Sequence, residues 1–245
     1  MISMRIASYN IRKAIGLDRK RDPVRIARVL RDVDADVVVL QEADRRLGRR
    51  PTALSPEIIR GETDYRIVDH AGSDVSLGWH GNAILVRDGI DCAPLNRIDL
   101  PGLEPRGAVL ARCGDLTVVG THLGLLRRHR VQQMEHIKQV TADFEPGRVL
   151  IAGDFNVWSD TQGFEPWSDT FDIIRPGRSF HSSRPIARLD GFAIGTEINI
   201  SEGGVHEKGD ARMASDHLPV WVELDRRRAD VDASAITRNQ AGDLL

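Results

Sequence analysis

The amino-acid sequence predicts an α/β fold in which sheets pack on one another with helices outside. Three observations carry that expectation. Short continuous β-branched runs recur and end in polar residues, two helices are marked by their caps and stops, and strands and helices do not alternate strictly enough for a regular barrel. A length of 245 residues suits one large domain. It is expected over residues 1–225, followed by a peripheral tail over 226–245 where apolar content falls.

The elements follow in order. Residues 5–10 form an apolar run closed by Asn10, and residues 36–42 a Val-rich run closed by Gln41 and Glu42. Between them Asp22 caps a helix with Pro23 in its first turn, and Val24, Ala27, Leu30 and Val33 make one apolar stripe. Further strands are expected at 65–68, 82–86 and 108–112. Residues 116–122 end in Thr121-His122, and residues 149–154 end in Asp154 with Asn156 just beyond. A second helix over 128–144 aligns Val131, Met134, Ile137, Val140 or Thr141, and Phe144, and stops at Pro146-Gly147. Strands at 188–194 and 218–224 flank a glycine-containing stretch, 195–214, that reads as a hairpin and loop.

Composition narrows the class. With 41% hydrophobic and 29% charged residues the chain can bury a substantial core. A net charge of −2 argues against a uniformly basic nucleic-acid surface but leaves room for a local basic patch. Cys92 and Cys113 give no zinc-ligand spacing and read as small apolar fillers of a reduced protein. No apolar run reaches the ~20 residues a membrane span needs, and the expectation is a soluble, cytoplasmic protein.

A strand that ends in a polar residue pushes that residue out of the core at the sheet's rim. Asn10, Glu42, His122, Asp154 with Asn156, and Asp216-His217 stand at such ends or beginnings, so their side chains converge if the strands share a rim. Hard oxygen donors of this kind suit magnesium, and neighbouring histidines can hold phosphate oxygens and move protons. The histidines lack the close-spaced ligand pairs of a zinc hydrolase.

The order and spacing of six stretches resemble the endonuclease/exonuclease/phosphatase superfamily. They are Ser8-Tyr9-Asn10-Ile11, Val39-Leu40-Gln41-Glu42, Gly120-Thr121-His122-Leu123, Ala152-Gly153-Asp154-Phe155-Asn156, Arg188-Leu189-Asp190 and Ala214-Ser215-Asp216-His217-Leu218-Pro219-Val220. Glu104-Pro105-Arg106-Gly107-Ala108 and the run from His122 to Arg130 are similar to bacterial members. The resemblance implies a four-layered α/β/β/α sandwich, deoxyribonuclease I-like, and a magnesium-dependent phosphoesterase, manganese serving as a substitute. It implies Glu42 as principal metal ligand, with Asn10 and Asp216 completing the shell. It further implies that Asp154 orients the attacking water, that Asn156 and His122 hold phosphate oxygens, and that Asp190 holds the ring of His217. The base stays open between Asp154 and the His217–Asp190 pair.

Where DNA-repair members carry an acid two positions after the first asparagine, this chain has Arg12, a basic residue able to face phosphate. Arg12, Arg106 and Arg130 are the expected substrate-binding residues. Gly191, after Asp190, is expected to widen the site. Two arginine clusters, Arg45, Arg46, Arg49 and Arg50, and Arg127, Arg128 and Arg130, follow catalytic strands and could border it. The expected partner is a phosphate ester: a nucleic-acid phosphodiester first, a phospholipid headgroup or inositol phosphate as the alternative, and a binding protein without catalysis last. Oligomeric state is not legible.

Overall fold

The computed structural model describes residues 3–45 and 48–225; the expected tail over 226–245 and Arg46 lie outside the described residues. Two six-stranded sheets are stacked between helices, the four-layered α/β/β/α sandwich. The first sheet holds β1 (Ser3–Asn10), β2 (Val37–Gln41), β3 (Tyr65–Val68), β4 (Ala83–Arg87), β11 (Ile200–Val205) and β12 (Val220–Asp225), in the order β11-β12-β1-β2-β4-β3. The second holds β5 (Cys92–Leu100), β6 (Arg106–Cys113), β7 (Leu116–His122), β8 (Val149–Asp154), β9 (Asp172–Ile174) and β10 (Asp190–Ile194), in the order β5-β6-β7-β8-β10-β9.

Each sheet is built around one parallel pair, β1 with β2 and β7 with β8, and its other ladders are antiparallel. A parallel pair needs a crossover, and each has a helix: α1 (Pro23–Val33) in the first and α3 (Arg127–Thr141) in the second. Asp22 caps α1 by accepting the Arg25 N–H at 2.9 Å, whereas Leu126 at the start of α3 offers no side-chain cap. α2 (Pro56–Glu62), capped by Ser55, and the one-turn α4 (Ala211–Ala214) pack on the first sheet's outer side.

The continuous apolar runs are explained by burial on both faces. In β2, Val37 and Val39 face the core between the sheets, while Val38 and Leu40 face the α1 side. In β8, Leu150 and Ala152 point inward and Val149 and Ile151 outward against α3, Met134 and Trp167. The sheets pack tightly at Gly120, where a Cβ would stand 2.7 Å from Val39 Cγ1. Only glycine fits there.

Three sequence expectations need correction. Cys92 and Cys113 are joined in a disulfide: the β5–β6 register sets them opposite one another, Cα to Cα 4.0 Å, and chain spacing alone did not show that pairing. Residues 195–214 are not a hairpin in themselves; β11 pairs with β12, with α4 in the connection. Finally, β5 was missed because it is an edge strand with exposed middle residues and Pro94 beside a register shift, so it lacks the apolar run of a central strand.

Candidate active site

Side-chain parity decides what meets at the rim. Ile6, Val118, Leu150 and Phe192 face the inter-sheet core, so residues an even number of positions away share that side. That parity carries Asn10, His122, Asp154 and Asp190 to the seam between the sheets, at the ends of β1, β7 and β8 and the start of β10. The parallel registers bring Asn10 beside Gln41 and His122 beside Asp154.

The result is a cluster around one carboxylate oxygen. Asp154 Oδ2 accepts from Asn10 Nδ2 at 3.0 Å, and His122 Nε2 and His217 Nε2 stand 3.4 and 3.6 Å from it. The Asn156 backbone N–H donates to Asp154 Oδ1 at 3.0 Å, and Asn156 Nδ2 donates to Leu123 O at 2.8 Å. His217 Nδ1 lies 2.8 Å from Asp190 Oδ2, which also accepts from Ser179 Oγ at 2.5 Å. Asp154, Asp190, His122 and His217 are all buried.

Burial governs their protonation. Desolvation raises the Asp154 pKa and the Asp190 charge adds to this, against His217 and the hydrogen bonds from Asn10 and Asn156. For His217, burial opposes the charged ring, but the carboxylates of Asp190 and Asp154 outweigh it and raise the pKa. In the metal-free protein the ring is therefore an imidazolium held between two carboxylates.

The first sheet's acids stand differently. Glu42 follows the last residue of β2, and strand parity would turn it away from the seam. Its left-handed backbone, φ 53°, breaks the alternation. Arg12, Lys13 and Ala14 form a consecutive left-handed turn at φ 46°, 57° and 58°, a conformation that costs on the order of 1 kcal/mol per residue. Lys13 N–H donates to Glu42 O at 3.1 Å, and this turn seats the Lys13 ammonium on the Glu42 carboxylate. Arg12 Nε lies 3.3 Å from Asp216 Oδ2, and its N–H donates to Asn10 Oδ1 at 3.1 Å. Ser215 Oγ ties the Asp216 loop to Asn10 O at 2.7 Å.

Two groups could receive a divalent cation. Asp154, Asp190 and His217 offer ligand atoms within 4.8 Å of one another. Asp190 Oδ2 already serves Ser179 and His217 there. Asn10, Glu42 and Asp216 offer hard oxygens; Asn10 is buried, the two carboxylates are partly exposed, and cationic side chains already sit on both of them. Their donor chemistry fits magnesium or manganese.

Arg106 and Arg130 are both buried. Arg106 Nη2 pairs with Glu104 at 2.7 Å. Arg130 Nη1 is hydrogen-bonded to Gly124 O and Leu125 O at 3.3 and 2.5 Å, bracing the loop after His122. Gly191 does not open the site: a Cβ there would meet Ile174 O at 2.7 Å, so the glycine serves strand packing against β9. Asn82 links the sheets through Nδ2 to Gly107 O at 2.9 Å. Sequence reasoning missed Lys13 and Ser179. Lys13 adjoins a recognised motif; Ser179 carries no local pattern, because its contact spans a long irregular loop.

The comparisons agree with this geometry. The sequence matches the Endonuclease/Exonuclease/phosphatase family over residues 7–217. It is 27% identical to YbhP of Escherichia coli (strain K12), itself uncharacterized, over 91% of this chain and 96% of that one. Among solved structures, an endonuclease/exonuclease/phosphatase from Beutenbergia cavernae superposes with a TM-score of 0.68 at 21% identity, covering 91% of this chain and 72% of that one. A mannosyl-6-phosphatase of Bacteroides thetaiotaomicron gives 0.69 at 19%, covering 91% and 100%. Truncated TDP2 of Caenorhabditis elegans gives 0.64 at 19%, covering 92% and 98%. With the motifs in order, the fold shared and the polar strand ends gathered at one rim, the chain belongs to the endonuclease/exonuclease/phosphatase family.

Proposed function

We propose that this chain is a magnesium- or manganese-dependent phosphodiesterase that cleaves its substrate by in-line attack of water. Members of the family are hydrolases of phosphoester bonds. The observation that carries the finer reading is the convergence of Asn10, His122 and His217 on Asp154 Oδ2. A water placed beside this oxygen loses its proton to Asp154, whose raised pKa brings the carboxylate nearer to neutral as a base. Of the two bases that the sequence leaves open, Asp154 is favoured, because the paired carboxylates raise the His217 pKa and support a ring that already carries a proton. The charged His217 ring, oriented by Asp190, and His122 stabilise the phosphate oxygens as charge develops. Asn156 gives one Nδ2 hydrogen to Leu123 O and keeps the other for the phosphate. Water oxygen bonds to phosphorus, the ester bond breaks, and the leaving oxygen departs as an alkoxide that takes a proton from solvent to become the alcohol. Asn10, Glu42 and Asp216 would hold the metal, which supplies charge neutralisation at the non-bridging and leaving oxygens.

The test is turnover with magnesium or manganese on bis-p-nitrophenyl phosphate, abasic duplex, single-stranded DNA, inositol phosphates and phospholipids. Glu42→Ala and His217→Ala each abolish hydrolysis with circular dichroism unchanged; full turnover in either variant overturns the assignment.

A second reading, a phospholipid headgroup as substrate, has one specific observation behind it. Exposed Leu103, Leu125, Leu126, Trp158, Ile186 and Met213 all lie on loops or the short helix at the strand ends that carry the site. An apolar rim of this kind suits a lipid surface. Hydrolysis confined to vesicle-borne substrate, with none on soluble diesters, would establish it.

A further inference from the structure

We infer that the cleft beside Glu42 is a second anion subsite, and that the substrate therefore carries a terminal phosphate close to the phosphodiester that is cleaved. The inference rests on the phosphodiesterase reading and deepens it. The cleft has a volume of about 240 Å³ and reaches from His122 and Glu42, on the proposed catalytic side, to Arg45, Arg50, His80 and Arg106. That is room for one substituted phosphate, smaller than an ordinary ligand pocket.

Its charge is out of balance toward cations. Of its three carboxylates, Glu42 carries the Lys13 ammonium and Glu104 carries Arg106. The third, Asp44, is buried and accepts the Leu77 N–H at 2.7 Å. Among the described residues, Arg45 and Arg50 have no carboxylate at salt-bridge distance. Arg50 Nη1 instead donates to His80 Nδ1 at 2.5 Å. Burial first, and then the Arg50 charge, lower the His80 pKa against its bond to Asp99, so the ring stays neutral and accepts.

Arg106 lies in the wall of the same cleft, so a phosphate bound there would meet the guanidinium groups of Arg45, Arg50 and Arg106. His122 lines the same cleft, so a phosphate bound among the arginines would share it with a phosphodiester at His122. The chemistry is shared by a 3′-phosphorylated nucleotide and by a phosphorylated inositol headgroup.

The full chain with manganese is assayed on two matched pairs. One is the p-nitrophenyl ester of thymidine 5′-phosphate, with and without a 3′-phosphate. The other is glycerophosphoinositol, with and without a 4-phosphate. The pendant phosphate is expected to lower KM by about tenfold in at least one pair, and the double variant Arg45→Gln/Arg50→Gln to erase most of that advantage. The pair that responds identifies the source. Equal KM values within both pairs, with bis-p-nitrophenyl phosphate still hydrolysed, overturn the subsite and leave the phosphodiesterase reading standing. If no diester is hydrolysed, that reading fails instead. Calorimetric titration of inorganic phosphate onto metal-free protein then decides the subsite: binding lost in the double variant supports it, and no binding overturns it.

Discussion

The two sheets share one plan and place opposite kinds of acid at the same rim. Each has a parallel pair joined through a helix, flanked by antiparallel strands, and each ends that pair in polar residues. In the first sheet Glu42 and Asp216 keep partial exposure, 16% and 22% of their side chains, and hold the cations of Lys13 and Arg12. In the second, Asp154 and Asp190 are 2% and 0% exposed and are held by amides, a hydroxyl and imidazoles. Exposure makes the first pair of charges exchangeable; burial makes the second pair fix protons in place. The neighbours Asp216 and His217 divide between the two, one facing Arg12 and the other Asp190.

The largest expected effect lies on the buried side. Asp154→Asn should lower kcat by about 10³-fold, the range of a lost general base, while manganese binding changes little. A variant that kept its kcat would move the base elsewhere.

A smaller effect is expected on the exposed side. Lys13→Gln removes the ammonium from Glu42 and should tighten manganese binding by about fivefold, as suits a partly exposed ion pair. Weaker or unchanged binding by calorimetry would show that Lys13 does not compete with the metal.

The pH response sharpens the contrast further. The folded pKa of His217 is raised from 6.5 to about 10, burial opposing and Asp190 and Asp154 prevailing. Its contribution to stability is therefore full below about pH 6.5 and lost as pH rises through about 10. In metal-free protein, the difference in urea midpoint between wild type and His217→Gln should shrink over that window. A difference that grew with pH would mean the ring is buried neutral.

The smallest effects belong to the two crossover helices. Asp22→Ala should cost about 1 kcal/mol in urea unfolding, and Leu126→Ser, at the uncapped start of α3, should recover a few tenths to 1 kcal/mol. Equal responses would remove the distinction between a capped and an uncapped crossover.

Legibility in the sequence followed the same division. Asn10, His122 and Asp154 were visible because each closes an apolar run whose parity continues to the end of the strand. Glu42 was visible as the polar end of such a run, but its aim was not, since its left-handed backbone overrides the alternation. Lys13 was missed, because it is seated by three consecutive left-handed residues, a conformation without a glycine to announce it. Ser179 and the Cys92–Cys113 pairing depend on contacts across loops and on the register of an edge strand, and neither leaves a periodic trace.

The central claim is that the exposed acids hold the metal and the buried group holds the protons. Manganese titration by calorimetry on Glu42→Gln and Asp190→Asn tests it directly. The account predicts that Glu42→Gln loses at least tenfold in affinity while Asp190→Asn keeps the wild-type value. Retained binding in Glu42→Gln with loss in Asp190→Asn would contradict it and move the metal to Asp154, Asp190 and His217.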